Sequence, residues 1–336
     1  MKLHLYFIIL SFAISACNTE DPVGCFPADK LPDHITPLTS FGQRSEWSLD
    51  GEKVYFVDSA KGDAWVVDIK TKDPVKITKP SFRPEGHGYY RVICLANGDL
   101  LLTCGPGRRE TYIQIMDKSM SKPPVTLNES INEGPAVSRK TMKIAWSPNH
   151  IDIWTGEIVY NNGIPRIADK KMVIRNTKVI VDSIKYEDIL EPQNWRPPNE
   201  EELIWSQYGQ TSQGVFTAET FGYIIKTGEI INHSKTPDLY DEPEGIFPEG
   251  EYTLVESDRH DPKGTSQIDI YKLKLDGTGK EYNRLTFLSE EEGFRSSNPV
   301  IRDDGKYMAF QASISGTAAG VGCGIYLFDF DKFGNK

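Results

Sequence analysis

The amino-acid sequence predicts an all-β chain arranged as a six-bladed propeller, on three observations. First, residues 298–310 (NPVIRDDGKYMAF) read as a β-hairpin. An apolar run of Pro299, Val300 and Ile301 meets an Asp303-Asp304-Gly305 turn, and Lys306, Met308 and Phe310 leave it with period-2 alternation. The Asp-Gly pair tolerates the positive φ of a tight turn, and alternation marks one buried face. Second, variants of this hairpin recur about every 45–60 residues, a period expected of blade-sized repeats. Third, no stretch keeps a 3.6-residue apolar period, so helix is expected to be scarce.

Residues 1–16 precede the fold. Lys2 supplies a positive start, and residues 3–14 are apolar apart from His4 and Ser11, too short a run for a comfortable membrane span. Ile14-Ser15-Ala16-Cys17 has the form of a lipobox, in which Cys17 is lipidated and becomes the N-terminus after cleavage. The alternative is an ordinary secretory signal cut nearby. Residues 17–34 are then a lipidated acidic tether and a proline-containing linker, and the acidic Asn18-Thr19-Glu20-Asp21 resembles the surface-export signal of Bacteroidetes lipoproteins.

The propeller is assigned to residues 35–332. His34 to Thr39 reads as a strand that closes the ring by pairing with the last blade, which removes an open edge. Hairpins follow at 45–56 (SEWSLDGEKVYF, turn Asp50-Gly51) and 92–103 (turn Asn97-Gly98). Weaker copies stand at 135–146 (Lys140-Thr141 at the turn) and 195–205 (Arg196-Pro197-Pro198). Those at 244–255 (Glu249-Gly250) and 298–310 complete six. Third strands are expected at 64–69, 112–116, 268–275 and 325–330, and short closing strands at 75–78, 125–127 and 284–286. Segments 58–63, 81–90, 238–244 and 289–295 read as loops, and 151–192 as an insertion or an enlarged blade.

Composition agrees with one secreted globular domain. The 336 residues are 38% apolar and 26% charged, with a formal charge of −10, or −11 once Lys2 leaves with residues 1–16. Net acidity argues against nucleic acid and anionic membrane surfaces as partners, because both need clustered Lys or Arg. Beyond Cys17, the cysteines Cys25, Cys94, Cys104 and Cys323 are too few and too irregular for a disulfide framework or a zinc site. No cofactor is predicted. The chain is expected to be a monomer.

The hairpins resemble those of TolB-type six-bladed propellers, whose blades carry an x-P-x-W/F-S-P-D-G-x-x-I/V-x-F pattern. Residues 45–56 and 298–310 match it best, and the resemblance covers about residues 35–332. It implies an envelope protein of a group that includes periplasmic binding and scaffold proteins, peptidase propellers and oligogalacturonate lyases, so fold alone leaves function open. A serine hydrolase lacks both its G-x-S-x-G elbow and room for an α/β domain. The lyases imply several histidines and a glutamine around a divalent ion. Here His34, His87, His150, His233 and His260 are scattered, and Glu46 precedes Trp47 where a histidine would stand.

Two groups of residues are candidates for function. After the strand at 252–255 come Glu256, Asp258 and His260, an acid–base set if the two acids project together. The alternative is a solvated turn whose acids pair with Arg259. The second group comes from counting six to eight residues back from each turn glycine, or from its counterpart where the turn lacks one. Arg44, Arg91, Glu133, Glu242, Glu244 and Asn298 are then expected to ring the channel mouth, with Gln193 near the corresponding place in blade four. Such a ring can hold a sugar, a peptide or a metal, or merely line a water-filled channel; no metal ligand is assigned. Tyr89, Tyr90, Trp195, Tyr208 and Tyr240 can stack on sugar rings or serve as packing. The glycine-rich segment 316–324 lacks the ending of a phosphate loop.

The resulting expectation is a lipid-anchored propeller in the cell envelope, an outer-membrane lipoprotein facing the periplasm or the surface. It would bind an oligosaccharide, a peptide or an envelope protein. The alternative is a polysaccharide-active lyase or glycosidase of propeller type.

Overall fold

The computed structural model describes residues 26–175, 180–181, 184–318 and 320–334; residues 1–16, Cys17 and Cys25 lie outside the described residues. Six antiparallel sheets are arranged as the blades of a β-propeller. Blade 1 holds Gln43–Trp47, Lys53–Val57, Ala64–Asp68 and Pro74–Lys76. Blade 2 holds Gly88–Cys94, Leu100–Gly105, Thr111–Met116 and Val125–Ile131. Blade 3 has a short inner pair, Ala136–Val137 and Lys143–Trp146, and a long outer hairpin of Ile153–Asn161 and Ile164–Ile174.

Blade 4 consists of Ile184–Trp195, Glu202–Gln210, Phe216–Ile224 and Ile230–Asn232, with Ile180–Val181 as a fifth strand. The long hairpin of blade 3 and this extra strand account for the irregular stretch 151–192. Blade 5 comprises Asp241–Ile246, Tyr252–Ser257, Asp269–Lys274 and Tyr282–Arg284. Blade 6 takes Phe294–Ile301, Tyr307–Ile314 and Ile325–Asp329, and is completed by Ile35–Pro37. Ile35 pairs with Phe328, Thr36 with Leu327 and Pro37 with Tyr326, so the ring closes as the sequence predicts. Proline is tolerated there because the strand lies at the sheet edge. Among the described residues the one α-helix is Phe330–Gly334.

The turn glycines behave as turn chemistry requires. Gly51, Gly98, Gly250 and Gly305 have φ between +67° and +89°, a region an L side chain enters only at a cost.

The core is radial. One apolar cluster joins blades 5 and 6 around Leu254, Ile270, Met308 and Phe310. Others join blades 1 and 2, blades 3 and 4, blades 2 and 3, blades 6 and 1, and blades 4 and 5. Each blade is therefore covered on both faces, which corrects the expectation of a single buried face. Met308, Ala309 and Phe310 are all fully buried, and every residue of Leu100–Gly105 is buried.

Three segments read as loops contribute to innermost strands instead. Residues 88–90 open the inner strand of blade 2, 241–244 that of blade 5, and 294–295 that of blade 6. Of their residues, Glu242, Glu244 and Arg295 face the channel. Cys94 and Cys104 are buried thiols without a disulfide, opposite Leu100 and Tyr89.

Candidate functional site

The innermost strands surround a central channel that widens into two cavities of about 310 and 160 Å³. Arg44, Arg91, Glu133, Glu191 and Glu244 line both, and so form the waist between them. The larger cavity opens among the hairpin turns, beside Arg139, Pro248 and Asp303. The smaller lies on the other side, with Glu242, Glu256, Tyr208, Tyr240, Arg295 and Asn298 in its wall. The six residues expected at the channel mouth thus all line the smaller cavity, and four of them sit deeper than expected, at the waist.

The local backbone explains why these side chains face inward. The inner strands of blades 1, 2, 4, 5 and 6 each break register with their neighbour at this level, between Gln43 and Glu46, Tyr89 and Arg91, Pro192 and Asn194, Pro243 and Ile246, and Ser297 and Val300. Such bulges re-aim side chains. Arg44, Glu133 and Asn298 also hold φ of +59°, +58° and +48°. Non-glycine residues in that region are uncommon and concentrate where geometry matters.

At the waist, Glu133 is held by two arginines: Arg44 Nη1 lies 2.5 Å from Oε2, and Arg108 Nε donates to Oε1. Burial alone would raise the Glu133 carboxyl, but Arg44, Arg108 and Arg91 outweigh it and hold the group well below the usual carboxylate range. Gly320 makes room for Arg44, since a Cβ there would collide with the guanidinium. This close approach is the structural use of the glycine-rich segment. Arg91 differs from Arg44 in forming no ion pair among the described residues, and its Nε is buried without a partner.

The smaller cavity is acidic. Tyr208 Oη lies 2.9 Å from Glu191 Oε2 and also bonds Glu242 Oε1, while Tyr240 Oη bonds Glu242 Oε2. A phenol carries one hydrogen, so when Tyr208 donates to one carboxyl the other must donate to it. Burial, with Glu133 and Glu242 adding to it, pushes Glu191 up to about 8. Burial pushes Glu244 up to about 7 against the pull of Arg91. Burial, then Glu242 and Glu244, lifts Glu256 well above the carboxylate range. Asn298 bridges two of these groups: its backbone N–H donates to Glu256 Oε1 (2.6 Å) and its Nδ2 to Glu244 Oε1 (2.7 Å).

The acid–base set Glu256, Asp258 and His260 is not brought together. Its alternation argument requires a continuing strand, and the strand ends at Ser257. Glu256 faces the channel. Asp258 instead pins a loop, accepting the N–H groups of Tyr240 (2.9 Å) and Gly264 (2.7 Å). His260 bonds Tyr271 Oη and Ser289 Oγ away from either cavity. Arg259 pairs with Asp241, not with its neighbours in sequence.

Of the remaining aromatics, Tyr208 and Tyr240 line the smaller cavity and Trp195 the larger, whereas Tyr89 is fully buried packing. Sequence reasoning missed Glu191, Arg108 and Arg295, and it read Glu256 as part of a face loop.

No family model matches the chain, and no curated protein matches it in sequence. Solved structures similar to it in shape include propellers. An oligogalacturonate lyase from Vibrio parahaemolyticus is 13% identical, with 89% of this chain and 79% of that one covered and a TM-score of 0.48. TolB from Acinetobacter baumannii is 14% identical over 88% of this chain and 65% of its own, with a TM-score of 0.43. The β-propeller domain of the Trilobed protease from Pyrococcus furiosus is 11% identical, covering 85% and 78%, with a TM-score of 0.45.

Proposed function

We propose that the chain is an extracytoplasmic, lipid-anchored binding module that takes a short polar ligand, an oligosaccharide or a peptide, into the hairpin-side cavity of its channel. The observation that carries this reading is Arg91. A buried guanidinium nitrogen with no protein partner, on a waist where Arg44 and Glu133 are paired with each other, is a costly arrangement that an anionic or carbonyl group of a ligand would satisfy. The lipobox at Cys17 supports the anchor, and no described helix is long and apolar enough to cross a membrane. Titration of the purified protein with oligosaccharides and peptides tests the reading. A ligand should be found whose affinity falls by about 1–3 kcal/mol in Arg91→Gln. Affinity that is indifferent to this change would reject the channel as the site.

A second reading, a polysaccharide-active enzyme, is favoured by one feature. Glu191, Tyr208, Glu242 and Tyr240 form a buried hydrogen-bonded relay in which burial pushes Glu191 up to about 8, the direction a general acid needs. A cleaved or unsaturated sugar product that disappears in Glu242→Gln would select it over simple binding.

A further inference from the structure

We infer that Glu242, Glu244 and Glu256, together with the side-chain oxygen of Asn298, form a binding site for one divalent cation of calcium type. One carboxylate oxygen from each glutamate lies within 4.8 Å of the other two, and all three residues are buried. Ligands on opposite sides of an ion with metal–oxygen distances of about 2.3–2.6 Å stand about 5 Å apart, so three oxygens at this spacing can share one ion. The donor set is oxygen only, which favours hard cations over zinc or copper.

An acidic cluster by itself would not specify a cation, but Asn298 adds an independent observation. Its N–H and Nδ2 are fixed on Glu256 and Glu244, and its Oδ1 is left buried with no partner, on a residue only 5% exposed. A protein donor is missing there, and a metal ion would fill that role. Among the described residues, none of the three glutamates forms an ion pair. Arg91 shares the cavity without pairing to them, and Arg295 directs its Nη1 and Nη2 to the carbonyls of Thr265, Thr317 and Ala318. Tyr208 and Tyr240 hold the Glu242 carboxylate in place from behind, as outer partners of metal ligands do. The smaller cavity leaves room for water on the remaining positions of the ion.

The site is independent of any organic ligand, so it can be tested without one. The full chain, freed of metal with a chelator, is titrated with calcium, magnesium and manganese by calorimetry and by thermal melting. One calcium ion per chain should bind and raise the melting temperature, with magnesium weaker because it demands a tighter octahedron. Glu256→Gln and Glu244→Gln should abolish binding, and Asn298→Ala should weaken it about tenfold. Should a glutamine variant fail to fold, the Asn298→Ala titration decides. Absence of binding to the unaltered chain, or binding unchanged in these variants, overturns the inference and leaves the ligand-binding reading of the channel untouched.

Discussion

Arg44 Nη1 and Glu133 Oε2 stand 2.5 Å apart, an ion pair between buried residues 89 positions apart in the chain. It ties the inner strand of blade 1 to the segment leading into blade 3, and Glu133 accepts Arg108 on its other oxygen. Removing the shared carboxylate strands Arg44 in a buried place. Glu133→Ala should therefore cost about 3–5 kcal/mol in urea denaturation. Arg44→Met should cost less, because Arg108 still serves Glu133. Equal and small effects would show that the waist does not hold the ring together.

Stability should fall as pH rises from 5 to 8. Burial pushes Glu46 up to about 7 against the pull of Arg139, and burial likewise pushes Glu219 up to about 7. An unfolded glutamate releases its proton near pH 4.5, so between about 4.5 and 7 the folded chain holds more protons than the unfolded one. The stabilisation is complete below that window and is lost as pH climbs through it. Melting curves across pH 5–8 should show this decline, and Glu46→Gln should flatten it by about 1–3 kcal/mol. Glu133, held low, titrates below the window and does not mask it. A profile that rises with pH would refute the assignment.

Two hairpin glycines, Gly305 and Gly250, should respond differently to substitution. Gly305, with φ of +72°, has only Pro248 near the space a Cβ would occupy, at 3.5 Å. Gly305→Val should cost about 1–3 kcal/mol, through the left-handed backbone alone. At Gly250, with φ of +75°, a Cβ would collide with the carbonyl of Pro197 in blade 4. Gly250→Ala should therefore lower the melting temperature more than Gly305→Ala does. The reverse order would mean that blades 4 and 5 are not seated as described.

Cys17→Ala should move the protein from the detergent-soluble membrane fraction to the soluble one, since each methylene of an acyl chain contributes about 0.8 kcal/mol to anchoring. Unchanged partitioning would reject the lipobox.

The sequence revealed the ring residues wherever a glycine turn set the count. Arg44, Arg91, Glu244 and Asn298 follow from Gly51, Gly98, Gly250 and Gly305, because a tight turn fixes hairpin register. Blade 4 has no glycine at its turn, so the count settled near Gln193 and passed over Glu191. The bulges that point these side chains inward leave no composition signature, as the positive φ of Arg44 and Glu133 shows. Glu256 was misjudged for a related reason. A strand end is not visible in EYTLVESD, and two residues decide whether its acids share a face. Arg108 and Arg295 reach the smaller cavity through tertiary placement, which no local pattern encodes.

The pairing of Thr36 with Leu327 has a consequence for the order of events in folding. The outermost strand of blade 6 is made before the other five blades, and its partner only after them. Until that partner emerges, residues 35–37 wait as an unpaired edge, and blade 6 has no finished outer border. Ring closure is thus a long-range step that waits for every blade between the two strands. A chain interrupted before Ile325–Asp329 would present two open strand edges to its neighbours, at the point in its life when it is most able to aggregate.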